Sequence, residues 1–216
     1  MESAEKACNW LCVPESKVSC HYLVDQDGGI TQMVGEEMRA WHAGVSSWEG
    51  ETDINSCSIG IEVQNTGHGG AYEDFPEAQM DAVADLASDI VSRHKILPQH
   101  VLAHSDIAPE RKIDPGEKFD WRFMHGRGVG HWVPPVTVSG GVFLQQGDRG
   151  DPVLALQGML SLYGYGIVRT GQYDEQTRRV VEAFQRHFRP SRVDGIADHS
   201  TVATLHALLQ SRPAMA

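Results

Sequence analysis

The chain has 216 residues, 41% of them hydrophobic, enough to bury an ordinary core in one or two domains. Its formal net charge of −11, with no basic run, argues against a nucleic-acid backbone as partner. No apolar run reaches the length needed to cross a membrane, and Met1 to Lys6 lack the basic and then apolar pattern of a secretory leader.

In chain order, Ala4, Cys8, Leu11 and Cys12 recur at helical spacing and predict a helix that begins near Glu2. All four cysteines lie within the first 57 residues and none forms a CxxC pair, so buried free thiols are expected. Val18 to Val24 has strand composition, Asp25-Gln-Asp-Gly-Gly is a turn signal, and Ile30 to Val34 can return as a hairpin. A further strand is predicted over Ser58 to Val63, with Ile59 and Ile61 on one face and Gly60 and Glu62 on the other. Between Pro76 and His94, the residues Met80, Val83, Ala84, Ala87, Ile90 and Val91 mark an amphipathic helix. The acidic residues Glu73, Asp74, Glu77, Asp81, Asp85 and Asp89 read as its solvated side. Val101 to Ala103 is expected to be a short strand that delivers His104. Mixed in this order, the elements predict an α/β domain with one sheet covered by helices.

The segment from His104 to Gly116, His-Ser-Asp-Ile-Ala-Pro-Glu-Arg-Lys-Ile-Asp-Pro-Gly, places an imidazole and a carboxylate on one loop. Pro109 and Pro115 remove backbone donors and disfavour helix before them, so His104 and Asp114 must converge by loop geometry. Together they are half of a zinc site. Asp106 is expected to hold the loop by hydrogen bonds rather than to bind metal. His68, His94, His100, His125 and His131 have no partner motif and read as solvated or packed histidines.

Residues 135–146, which begin Pro-Val-Thr-Val-Ser-Gly-Gly, have linker composition and separate a domain over 1–134 from one over 147–211. The charge changes there: residues 1–139 hold 10 Lys+Arg against 22 Asp+Glu, the remainder 8 against 7. The second domain predicts three helices. The first carries Val153, Leu156, Leu160 and Tyr163, the second Val180, Val181, Phe184 and Phe188. Gly171-Gln-Tyr-Asp174-Glu-Gln-Thr177 and Gly195-Ile-Ala-Asp198-His-Ser-Thr201 repeat Gly-x-x-Asp-x-x-Thr, a turn glycine followed by a capping aspartate. A small all-α three-helix domain follows.

Three motifs of the first domain, Trp41-His-Ala-Gly-Val-Ser, Ser58-Ile-Gly-Ile-Glu62 and the His104 to Gly116 segment, resemble those of zinc-dependent N-acetylmuramoyl-L-alanine amidases. The run Gly147-Asp-Arg-Gly-Asp-Pro-Val-Leu-Ala-Leu-Gln157 through Tyr163-Gly-Tyr, with Ala183-Phe-Gln185, resembles a bacterial peptidoglycan-binding domain. The pairing is similar to the two-domain envelope amidases of Gram-negative bacteria. The resemblance implies Zn2+ as cofactor and cleavage of the amide between N-acetylmuramic acid and L-alanine in peptidoglycan or muropeptides. It implies His104 and Asp114 as metal ligands, Glu62 as catalytic acid and base, and Lys112 as the cation for the developing oxyanion. Trp41 and His42 lie in a loop motif suited to binding sugar or peptide, with a structural role equally open.

In the family the first zinc ligand is a histidine on a strand of the type Leu-His-Tyr-Thr, directly before the helix that here begins near Glu2. The sheet is therefore expected to lack its first strand, and the chain to be short at its N-terminus. His21 is an alternative ligand, although Cys20 and His21 must face opposite sides of a strand and the family pattern turns Cys20 to the site. Two rival readings follow: a peptidoglycan-binding protein with an incomplete amidase site, and a cysteine hydrolase using Cys20 with His104. The substrate and domain pairing point to the periplasm or cell envelope, and the absence of heptads to a monomer.

Overall fold

The computed structural model describes residues 3–137, 140–141 and 143–213. By contact density the chain divides into two compact units. The first comprises Met1–Ser46 and Thr52–Lys95, the second Ser47–Glu51 and Ile96–Ala216.

The first unit is built on a three-stranded sheet. Its central strand β1 (Tyr22–Val24) pairs antiparallel with β2 (Ile30–Gln32) and parallel with β3 (Ile61–Val63). The hairpin and the third strand stand where the apolar runs placed them, each trimmed to three residues. The turn between β1 and β2 uses Gly28 at φ 87°, where a Cβ would lie 2.8 Å from the Ala78 carbonyl oxygen, so glycine is required. Helix α1 (Ala4–Leu11) is capped by Ser3, whose hydroxyl accepts from the Lys6 amide. Glu2 lies outside the described residues. Helix α2 (Glu77–His94) buries Met80, Val83, Ala84, Ala87 and Ile90, the face that period 3.6 marked. Both helices pack on β1. Gln79 extends the sheet's hydrogen bonding, its amide donating to the carbonyls of Val24 and Gln64.

The cysteines are all free, but only Cys20 is buried; Cys12 and Cys57 are exposed and Cys8 is half-buried. Helix α1 has eight residues and buries Ala7 alone, so its cysteine side is not a core stripe.

The second unit carries the short helices α3 (His104–Ile107) and α4 (Trp121–Gly126) and three longer ones, α5 (Asp151–Tyr163), α6 (Glu175–Phe188) and α7 (His199–Ser211). Val101 to Ala103 does not form the expected strand. Its backbone instead enters α3, where the Asp106 carboxylate accepts from the Ala103 amide at 2.8 Å. The repeat behaves as its chemistry predicts. Asp174 accepts from the amide and hydroxyl of Thr177 at 2.9 and 2.8 Å, and Asp198 from those of Thr201 at 2.8 and 2.9 Å. Gly171 and Gly195 take φ 69° and 67°. A buried glutamine completes each copy. Gln157 accepts from the Gly171 amide and donates to Thr177, while Gln185 accepts from the Gly195 amide and donates to Thr201.

The segment read as a linker is pinned on both sides of its undescribed residues Val138, Ser139 and Val142. The Val136 amide donates to Thr204 on α7, and Leu144 exchanges both backbone hydrogen bonds with Ala197 at 3.0 and 2.9 Å.

Just before that segment, His131 is 7% exposed and lies 3.0 Å from both the Tyr163 and Ser211 hydroxyls. Ser211 donates to the Ala207 carbonyl, so Nε2 of His131 donates to Ser211 and Nδ1 accepts from Tyr163. Burial first, then the charges of His125, His187 and Arg212, push the His131 pKa from 6.5 down to about 4. An imidazole harder to protonate when folded favours the unfolded chain as pH falls. Its contribution is complete above pH 6.5 and is lost between pH 6.5 and about 4, to the extent of about 3 kcal/mol. Denaturant midpoints taken across this window should fall for the native chain. The His131→Asn variant should lack this part of the slope; an unchanged slope would mean that other groups set it.

Candidate active site

In the second unit, α3 starts at His104 and the chain returns through Pro109 to Asp114. The Ser105 amide donates to the Asp114 carbonyl at 3.0 Å and ties the ends of this loop together. His104 Nδ1 then lies 3.0 Å from Asp114 Oδ2. Two donor atoms bound about 2.0–2.1 Å from one tetrahedral ion sit about 3.3 Å apart, so a small opening of this pair would admit one. Arg111 approaches His104 Nε2 at 3.4 Å. Partial burial would raise the Asp114 pKa, but the His104 hydrogen bond and the charges of His104 and Lys112 hold it below the usual carboxylate value. The Lys112 cation therefore stands in the field of the pair, as its place two residues before Asp114 suggests.

An imidazole and a carboxylate are the right donors for a divalent cation, yet a catalytic zinc takes three protein ligands. Among the described residues no group of three or more His, Cys, Asp or Glu is placed to hold a metal. The pair fits two positions of such a site and does not fill it.

His21 is not the missing donor. The Gly60 amide donates to its Nδ1 at 3.0 Å, which leaves the proton on Nε2 to be donated to the Met38 carbonyl, also at 3.0 Å. Both ring nitrogens hold backbone. Nor is Cys20 a nucleophile: burial first, and then the Glu62 charge, push its thiol up to about 12, so almost no thiolate exists near neutral pH. The same proximity puts Cys20 beside Glu62 in the first unit. Glu62 is exposed at the centre of β3, with half-buried Ile61 and Val63 turned the other way, as alternation predicted.

In the first unit the side-chain oxygen of buried Asn55 accepts from the amides of His42 and Ala43 at 2.9 and 2.8 Å, and the Ser19 hydroxyl accepts from the Trp41 amide at 2.9 Å. Trp41 is 54% exposed, carries the Arg39 guanidinium 4.3 Å above its ring, and lines an open groove of ≈ 530 Å3 with Leu11, Cys12, Val13 and Val18. His42 packs edge-on to His21 and fills the space where a Gly60 Cβ would lie, 2.4 Å from its ring. Glycine at position 60 is thus needed for His42 to sit there.

Residues 1–117 match the family described as N-acetylmuramoyl-L-alanine amidase, more than half of the chain. The chain belongs to this amidase family. Residues 149–205 match the peptidoglycan binding domain family. The chain is 40% identical over 210 residues to the N-acetylmuramoyl-L-alanine amidase AmiD of Escherichia coli K12, covering 91% of this chain and 75% of that protein. The structure of E. coli AmiD in complex with the substrate anhydro-N-acetylmuramic acid-L-Ala-D-gamma-Glu-L-Lys superposes with a TM-score of 0.82 at 37% identity, over 96% of this chain and 84% of that one. AmpDh3 of Pseudomonas aeruginosa in complex with anhydromuramic pentapeptide gives 0.79 at 30%, over 99% and 89%. These likenesses establish the α/β amidase fold with its helical second domain.

Of the residues read from sequence, His104, Lys112 and Asp114 come together in the second unit, while Glu62, Trp41 and His42 belong to the first. The other histidines have packing or surface roles. His94 meets Glu36 at 2.7 Å, His100 meets Glu49 at 3.2 Å, and His68 packs on Tyr72 at a tilt of 31°. Sequence reasoning missed His187 and Tyr165, which reach Asp106 on α3. A histidine on the α6 face that also carries Val180, Phe184 and Phe188 was the available signal.

Proposed function

We propose that this chain hydrolyses the amide joining the lactyl group of N-acetylmuramic acid to L-alanine in peptidoglycan or its released muropeptides. The observation that carries this reading is the 3.0 Å pairing of His104 with Asp114 on one loop, at the positions of the amidase motif. His104 and Asp114 would hold Zn2+ together with a further ligand; the ion, when bound, supplies an acidified water as nucleophile near neutral pH. Glu62 takes the proton from the attacking water and returns it to the departing alanine nitrogen. Lys112 places its cation where negative charge collects on the attacked carbonyl oxygen. Trp41 offers an exposed ring face, and His42 a fixed imidazole, to sugar or peptide.

The second domain, proposed to extend over 147–211 beyond a 135–146 segment and a catalytic domain of 1–134, binds glycan and keeps the enzyme on its polymer. The substrate and the domain pairing point to the periplasm or envelope, and the absence of heptads to a monomer. No helix among the described residues is long and apolar enough to cross a membrane.

A second reading, peptidoglycan binding without catalysis, is favoured by one observation: only two metal donors converge among the described residues. Zinc content and cleavage of a soluble anhydro-muropeptide, measured on one preparation, separate the two. We expect zinc uptake and release of a free L-alanine amine, both sensitive to chelator. Binding to sacculi with neither zinc nor cleavage would establish the second reading.

A further inference from the structure

The Asp106 carboxylate is fully buried and takes three hydrogen bonds, only one of them from its own loop. The Ala103 amide donates to Oδ2 at 2.8 Å. The Tyr165 hydroxyl donates to Oδ1 at 2.7 Å and His187 Nδ1 to Oδ2 at 2.7 Å. Tyr165 and His187 lie within the span that matches the peptidoglycan binding domain, whereas Asp106 lies within the amidase span and two residues from His104. All three nevertheless belong to one compact unit, with α3 packed on α6.

Neither donor is free to move. Tyr165 is 2% exposed and its ring meets Trp48 edge-on at 5.0 Å. His187 is also 2% exposed, stacked between Trp121 and Phe188 with centroids 3.9 Å away on each side. Two further bonds run parallel to this network: Gln176 on α6 donates to Glu110 at 2.8 Å, and the Ser47 amide donates to the Ile107 carbonyl at 2.8 Å. Between Ala103 and Asp114 the loop has little regular structure to fix it. A buried carboxylate held by rigid, packed donors is what such a loop needs to keep its His104 and Asp114 side chains in register.

We propose that Tyr165 and His187 are positioning residues for the His104–Asp114 loop, so that the peptidoglycan-binding domain forms part of the catalytic scaffold as well as an anchor. This rests on the amidase reading for its catalytic consequence only; the loop-holding role is measurable without turnover. The ordering works through geometry. Tyr165 and His187 touch Asp106, and Asp106 fixes the first turn of α3, from which His104 projects.

The test compares the full chain with Tyr165→Phe and Tyr173→Phe. Tyr173 is equally buried in the same domain, but its hydroxyl donates to the Gly195 carbonyl at 2.8 Å, away from the loop. Both changes delete one buried hydroxyl, so Tyr173→Phe controls for lost stability. Hydrogen exchange of peptides spanning 103–115 should speed up on the order of tenfold in Tyr165→Phe and stay unchanged in Tyr173→Phe, with sacculus binding retained by both. With soluble anhydro-muropeptide, kcat should fall severalfold in Tyr165→Phe with little change in KM. Equal loop exchange in the two variants would overturn the proposal. If the chain cleaves nothing, the amidase reading fails while the exchange result still decides the positioning role.

Discussion

Glu62→Gln should lower kcat on a soluble anhydro-muropeptide by roughly 10²–10⁴-fold, the range that a positioned acid–base group contributes. The substitution keeps the shape of the side chain and removes its ability to carry a proton. Glu62 is exposed on β3, so no core packing is disturbed, and the melting temperature should stay within about 1 °C. Zinc content should also be unaltered, because the proposed donors are His104 and Asp114. The Cys20 thiol beside it gives a second readout. Its pKa is pushed up to about 12 first by burial and then by the negative charge of Glu62, so neutralising position 62 should lower it and modestly speed thiol alkylation. A variant that alkylates faster but keeps full turnover would remove Glu62 from the proton-transfer role and leave the water's proton to another group.

Much of this arrangement was legible because it depends on local rules. The period of α2, the turn before β2 and the two Asp–Thr caps each follow from residues within a few positions of one another. The His104 to Gly116 segment was legible for a different reason: two prolines forbid a regular face, so the donors could meet only through a loop. What the sequence hid was non-local. Val101 to Ala103 has strand composition, but its amide at Ala103 is claimed by Asp106, a preference that no window over those three residues contains. Cys8 and Cys12 sit at core spacing on a helix too short to bury them. His21 looked like a candidate ligand until the Gly60 amide and the Met38 carbonyl, 39 and 17 residues away in sequence, took both its nitrogens. The composition of residues 135–146 marked a break, and the contacts that pin Val136 and Leu144 come from α7 and the turn before it. The partners of Asp106 are 59 and 81 residues distant, so the loop's hydrogen-bonding role could be expected while its donors could not.

Those distant donors make Asp106 a position where a single change should cost the second unit heavily. Asp106→Ala removes an acceptor and leaves three donors facing a cavity: the Tyr165 hydroxyl, His187 Nδ1 and the Ala103 amide. Each stranded donor costs about 1–3 kcal/mol, and water entering the space left by the carboxylate recovers part of it. A net loss of about 3–5 kcal/mol is expected, which at this chain length lowers the melting temperature by roughly 10 °C. Asp106→Asn should cost less, because its one carbonyl oxygen can still accept from Tyr165 while its amide nitrogen faces the other two donors. The ordering of wild type above Asn above Ala, read from denaturant midpoints, separates a hydrogen-bonding role from a packing role. Packing alone would leave Asn, with its nearly unchanged volume, as stable as aspartate. Hydrogen exchange adds the location. A loss that originates at Asp106 must travel through α6, since His187 is clamped between Trp121 and Phe188, so amides of α6 and of the 103–115 loop should lose protection together.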